Sequence, residues 1–81
     1  MKIRTEFYAQ LRDLTNKSAI EVEVAERATV ADLLQQIYAM FPALKERDKT
    51  ILIGAGVEFV AREYQLSDNE EIAIMPPVQG G

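Results

Sequence analysis

The fold is decided by residues 29–42, TVADLLQQIYAMFP, the longest stretch of the chain with a helical period. From Val30 onward, apolar side chains recur at intervals of three and four residues, which is the spacing of a helix with one buried face. Thr29 and Asp32 form the pattern of a capping box at its start. Pro42 ends it, because the residue before a proline resists helical geometry. We therefore predict a helix of roughly three turns with one face packed on a sheet.

Two strand patterns precede this helix. Residues 2–10 and 19–25 alternate polar and apolar side chains with a period of two. Such alternation is typical of half-buried strands, and the polar segment between them has the composition of a turn. We predict an antiparallel hairpin.

Three further strand segments follow the helix. Short apolar segments at 50–53 and 57–60 flank the Gly-Ala-Gly sequence at 54–56, which we expect to form a tight turn or a bulge because glycine adopts positive φ without penalty. The last strand pattern covers residues 71–75. This order predicts a small α+β domain whose mixed sheet of four to five strands has one main helix packed on one face.

The composition excludes most kinds of self-contained catalysis. The 81 residues include no Cys and no His, so thiolate nucleophiles, disulfides, imidazole bases and the usual transition-metal ligands are absent. Ser18 and Ser67 have no base in the sequence that could activate them. We expect one domain with no metal site and no independent enzymatic activity.

Charge and hydropathy argue against two classes of partner. The net charge is -4 and basic residues are not clustered, so binding to nucleic-acid phosphates lacks its electrostatic source. The longest uncharged stretch, 33–44, falls well short of the ~20 apolar residues that a membrane-spanning helix needs. The N-terminal residues read as a strand without the apolar region of a signal peptide. We expect a cytoplasmic protein with no nucleic-acid or membrane partner.

The C-terminal segment 76–81, PPVQGG, carries the clearest functional signal. Pro76 and Pro77 favour an extended conformation that leads the chain away from the sheet. Gly80 and Gly81 leave the terminal carbonyl unshielded and fit a channel too narrow for other side chains. Paired terminal glycines have two interpretations. They form a frayed end of the chain, or they present a terminal carboxylate that a partner protein activates as an acyl-adenylate made from ATP.

The sheet face away from the helix should be polar, because charged side chains alternate along the first two strands. The exceptions are apolar or aromatic residues near the exit of the tail: Tyr8, Met75, and either Phe59 or Val60. An apolar patch on a small polar surface often marks a site of partner binding.

With these features the chain resembles the ubiquitin-like β-grasp sulfur carriers, and among them the small subunits of molybdopterin synthase. The resemblance covers essentially the whole chain. It rests on residues 7–12, FYAQLR, on the Thr-Val pair that opens the helix, on residues 66–73, LSDNEEIA, and on the tail. It implies a β-grasp domain at 1–75 and a flexible Gly-Gly tail at 76–81. The Gly-Ala-Gly sequence departs from relatives that have a more polar turn with Asn, which leaves the hairpin geometry there open.

The resemblance also implies a mechanism and a set of partners. An adenylating activating enzyme would use ATP on Gly81, and a sulfurtransferase would indirectly supply the sulfur of a thiocarboxylate. The large subunit of molybdopterin synthase would accept the tail in a heterotetramer, and sulfur would pass to cyclic pyranopterin monophosphate during molybdenum cofactor biosynthesis. No permanently bound cofactor is implied. The partner-binding residues would be Gly80, Gln79, Val78, Pro77, Pro76, Met75 and Phe59, with Tyr8 added from its strand parity.

Two alternatives share the terminal Gly-Gly. The first is a sulfur carrier for thiamin synthesis or tRNA thiolation, which uses the same adenylation step. The second is a ubiquitin-like modifier that forms isopeptide bonds with lysines of target proteins. The Pro-Pro-Val segment and the length of 81 residues favour the molybdenum-cofactor branch.

Overall fold

A computed structural model describes residues 1–77 as a five-stranded mixed sheet with helices on one face. The elements are β1 (Lys2–Phe7), α1 (Leu11–Thr15), β2 (Ala19–Glu23), α2 (Val30–Met40), α3 (Pro42–Lys45), β3 (Leu52–Ala55), β4 (Glu58–Phe59) and β5 (Glu71–Met75). The strand order is β2-β1-β5-β3-β4, with β1 and β5 parallel and the other neighbours antiparallel. The predicted α+β class, hairpin and mixed sheet are confirmed.

The core lies between the helices and the sheet face that they cover. Its strand residues occupy alternate positions, as in β5, where Ile72 and Ile74 are fully buried. The helix α2 contributes one stripe of buried side chains: Val30, Leu33, Leu34 and Ile37. Burying each large aliphatic side chain stabilises the fold by about 1.5–3 kcal/mol.

The predicted capping box opens α2. The Thr29 side chain accepts a hydrogen bond from the Asp32 backbone N–H, and the Thr29 N–H donates to Asp32 Oδ2 at 2.9 Å. The helix ends at Met40, and Phe41 leaves the helical conformation with φ -132° and ψ 79°. Pro42 then begins the short helix α3. The predicted bounds of the main helix are therefore confirmed, although α3 was not foreseen.

Two local predictions at the N-terminal end are wrong. The first strand ends at Phe7 and does not reach Gln10, because Ala9 adopts a left-handed backbone with φ 52°. The segment after it is not only a polar turn, since it contains α1. Five residues are too few to display a helical period in the sequence.

The tight turn or bulge predicted at 54–56 is displaced: it is wrong for Gly54 and Ala55, and only Gly56 lies in the turn. Gly54 and Ala55 belong to β3, and the turn lies at Gly56 and Val57 with φ 64° at Gly56. Strand pairing on both sides of β3 holds Gly54 extended. No helix within residues 1–77 is long and apolar enough to cross a membrane.

Candidate functional site

The register of the strands places the apolar candidates on the sheet face that no helix covers, hereafter the open face. Residues paired across neighbouring strands lie on the same face. Gly54 pairs with Ala73 on one side and with Phe59 on the other, and Leu52 pairs with Met75. Phe59 and Met75 therefore lie on one face, two strands apart.

Tyr8 reaches the same face from the end of β1. Its backbone N–H donates to the carbonyl oxygen of Ile74 at 3.1 Å, which places it beside Met75. Its side chain is 40% exposed. The Arg12 guanidinium carbon lies 6.0 Å from the centroid of the Tyr8 ring, and Arg12 Nε donates to the Phe7 carbonyl oxygen at 3.0 Å. This cation–π contact makes Arg12 a positioning residue for Tyr8.

These side chains surround one shallow depression of about 270 Å³. The residues that line it are Tyr8, Gly54, Gly56, Val57, Glu58, Phe59, Ala73 and Met75. We call its four large apolar or aromatic members, Tyr8, Val57, Phe59 and Met75, the apolar patch. Phe59 is 66% exposed and Val57 is fully exposed, so these two side chains are available to a partner.

Val60 does not belong to the apolar patch. It is partly buried and packs against the core, so the structure selects Phe59 from the two candidates that the sequence offered. The strand β4 is only two residues long, which is too short for its alternation to be recognised in the sequence.

The other end of the open face is charged. Arg4 of β1 lies between Glu21 of β2 and Glu71 of β5, and Lys2 pairs with Glu23. The Nε atom of Arg4 is 3.9 Å from a carboxylate oxygen of Glu6, with both side chains at least one-third exposed. Such exposed pairs contribute little to stability, about 0–1 kcal/mol. The open face therefore has one charged end and one apolar end. The charged end confirms the polar face that the alternation along the first two strands predicted.

The tail begins at the apolar end. Pro76 and Pro77 follow Met75 directly. The predicted positions Val78, Gln79, Gly80 and Gly81 lie outside the described residues.

A second, larger groove of about 900 Å³ lies on the helical side, between α2 and residues 45–49. The Tyr38 hydroxyl donates a hydrogen bond to Asp48, and the Arg62 guanidinium forms an ion pair with Asp48 at 3.5 Å. Burial, together with the hydrogen bond to Asp48, raises the pKa of the Tyr38 hydroxyl well above its ordinary value. These contacts link three segments of the chain. Within residues 1–77 no cluster of three or more acidic side chains could hold a metal ion.

The sheet order, the single long helix and the tail-bearing last strand define a ubiquitin-like β-grasp protein. The crystal structure of SAMP1 from Haloferax volcanii, a small archaeal modifier protein, superposes with a TM-score of 0.88 at 27% identity. The match covers 100% of both chains.

The model of the ThiS family matches residues 5–81, and this chain belongs to the ThiS family. Two relatives with similar sequences are named molybdopterin synthase sulfur carrier subunit. The one from Escherichia coli (strain K12) is 36% identical over 81 residues, which covers 98% of this chain and 99% of the relative. The one from Chlamydomonas reinhardtii is 34% identical over 83 residues and covers 100% of both chains.

Proposed function

We propose that this chain is the sulfur carrier subunit of a molybdopterin synthase. The observation that supports this most strongly is the similarity to two relatives of that name, which covers 98% or more of this chain and 99% or more of each relative. The PPVQGG tail and the apolar patch at its origin agree with such a role.

The proposed chemistry begins at the terminal carboxylate. An activating enzyme joins the carboxylate of Gly81 to the AMP portion of ATP, and pyrophosphate leaves. The persulfide of a sulfurtransferase then attacks the acyl carbon and displaces AMP, which forms an acyl disulfide. A second thiol reduces this disulfide, which releases the thiocarboxylate and leaves the two thiols joined as a disulfide. Because the chain contains no Cys, no thiol of its own competes for the activated carbonyl.

Delivery depends on docking of the domain followed by insertion of the tail. The apolar patch would bind the large subunit, and Pro76 and Pro77 would direct the tail into its active site with little conformational freedom left to lose. The thiocarboxylate sulfur would form a bond to a carbon of cyclic pyranopterin monophosphate as a carbon–oxygen bond at that carbon breaks, its oxygen leaving with the phosphate group or as water. Water would then cleave the acyl–sulfur bond and regenerate the Gly81 carboxylate, and a second carrier would supply the second sulfur of the dithiolene.

The first step is tested by the mass of the intact protein. After incubation with the activating enzyme, ATP and a sulfur donor, we expect the mass to increase by the difference between one sulfur and one oxygen atom. A variant that lacks Gly81 should fold normally, because the tail lies beyond the last strand, and should show no mass increase. An unchanged mass of the intact chain under these conditions would refute the proposal.

The similarity to SAMP1 supports a second candidate function, that of a protein modifier. A modifier would form isopeptide bonds between Gly81 and lysines of other proteins. The two functions differ in what accumulates in a cell extract: a modifier produces a ladder of conjugates of higher mass, whereas a carrier produces the thiocarboxylate. A carrier for a different sulfur acceptor would form the thiocarboxylate but would produce no dithiolene with the large subunit.

A further inference from the structure

We propose that the depression in the apolar patch receives a single large apolar side chain of the synthase large subunit, and that Gly54 keeps it open. This inference rests on the proposed function, and it specifies which chemistry the open face recognises.

Gly54 forms the floor because it has no side chain. A Cβ atom at this position would lie 3.0 Å from Cε of Met75 and 3.7 Å from Cβ of Ala73. Its φ is not in the left-handed region, so the backbone conformation does not require glycine here. Gly54 is paired with β4 on one side and with β5 on the other, so its backbone polar groups are engaged within the sheet. The floor is therefore apolar and lower than its surroundings.

The walls match one side chain in size and chemistry. An enclosed apolar cavity of ~150 Å³ is sufficient to hold a benzene molecule. The open depression, at about 270 Å³, suits one aliphatic or aromatic side chain and is below the usual range of small-molecule pockets. Glu58 reaches the depression with its backbone oxygen, 3.8 Å from where a Cβ of Gly54 would lie. Its strand partner Ala55 pairs in turn with the buried Ile72, so the Glu58 side chain belongs to the other face of the sheet. The described side chains around the depression are therefore uncharged, which leaves an uncharged apolar group as the best fit.

The position of the depression links it to the tail. Met75 forms one wall and is followed directly by Pro76, where the tail leaves the sheet. A partner side chain seated over Gly54 would fix the origin of the tail relative to the partner's active site. Apolar anchors that fill a pocket at the centre of an interface provide much of the binding energy in protein complexes.

Two variants that fill the depression test this proposal, with one matched control. Gly54→Leu fills it from the floor, and Ala73→Leu fills it from the neighbouring strand without any change of backbone preference. Ala19→Leu is the control. Ala19 pairs with Glu6, and Glu6 pairs with Ala73, so Ala19 and Ala73 lie on the same face of the sheet in one row across the strands. The affinity of each full-length chain for the purified large subunit is measured by titration calorimetry, and its fold is checked by thermal unfolding.

We expect both filling variants to bind about tenfold or more weakly than the wild type, and Ala19→Leu to bind within about twofold of it. If Gly54→Leu unfolds because Met75 cannot move, Ala73→Leu decides the outcome. Wild-type affinity of a folded Ala73→Leu, or an equal loss in Ala19→Leu, would overturn this inference alone. Failure of the wild-type chain itself to bind the large subunit would instead overturn the proposed function.

Discussion

The two faces of the sheet are built from the same strands but differ in role: one stabilises the fold, and the other is proposed to bind a partner. On the covered face, alternate residues such as Ile72 and Ile74 are fully buried against the helices. On the open face, the alternating residues Ala73 and Met75 of the same strand line the depression. Substitutions on the covered face should change stability and leave binding intact, whereas substitutions in the apolar patch should do the reverse.

The largest effect is expected from a cavity in the covered face. Leu33→Ala removes a fully buried side chain of α2, and we expect the free energy of unfolding to fall by about 2–5 kcal/mol. Urea denaturation followed by circular dichroism measures this change. At a concentration of urea where the variant remains folded, its affinity for the large subunit should equal that of the wild type. A loss of affinity in the folded variant would contradict the division between the two faces.

A charge in the apolar patch should produce the opposite pattern. Phe59→Asp exposes a carboxylate where a partner would have to desolvate it, so we expect association with the large subunit to weaken by about 2 kcal/mol or more. Because Phe59 is 66% exposed, stability should change little. Glu23→Lys, at the charged end of the open face, is the matched control and should leave affinity nearly unchanged. Equal losses in both variants would show that the apolar patch has no special role.

A smaller gain of stability is expected at Thr5 on the covered face. Its hydroxyl oxygen is buried without a hydrogen-bond partner in the described part of the chain. Thr5→Val replaces the hydroxyl by a methyl group of similar shape, which should raise the free energy of unfolding by about 1 kcal/mol. Thermal unfolding measures the gain, and a lower melting temperature would indicate that the hydroxyl has an unrecognised partner.

The smallest effect should appear at alkaline pH. The pKa of Tyr38 is raised by burial and by Asp48, and that of Tyr64 is raised chiefly by its hydrogen bond to Glu70. A group whose pKa is higher in the folded state contributes stability below its unfolded pKa, about 10 for tyrosine, and loses it as the pH rises through the folded value. Stability should therefore decline above pH ~10, and less steeply in Tyr38→Phe. Parallel pH profiles of the two proteins would contradict this assignment.

The sequence predicted those parts of the fold whose pattern extends over several periods. The helix α2 and its capping box, the hairpin of β1 and β2, and β5 all follow from alternation, helical spacing and caps. The short elements α1, α3 and β4 have too few residues to show a period. Gly54 was misread as part of a turn because glycine is common in turns, and only pairing with two neighbouring strands reveals it as a strand residue.

The candidate site was predicted in its residues but not in its geometry. Strand parity placed Tyr8 and Met75 on one face and left Phe59 or Val60 open, the resemblance pointed to Phe59, and the tail motif was visible as a sequence. The depression depends on which strands become neighbours, because Gly54, Ala73 and Tyr8 are distant in the chain. The contact of Arg12 with Tyr8 was not predicted, since it follows from the unforeseen helix α1.

The central claim, that Gly81 carries sulfur to the large subunit, is tested most directly by a single-turnover reaction. The thiocarboxylated chain is mixed with the large subunit and cyclic pyranopterin monophosphate, and the dithiolene product is quantified. We expect product to form in proportion to the thiocarboxylate consumed, and a chain lacking Gly81 to yield none. Product formed by the chain lacking Gly81, or no product from the thiocarboxylated chain, would contradict it.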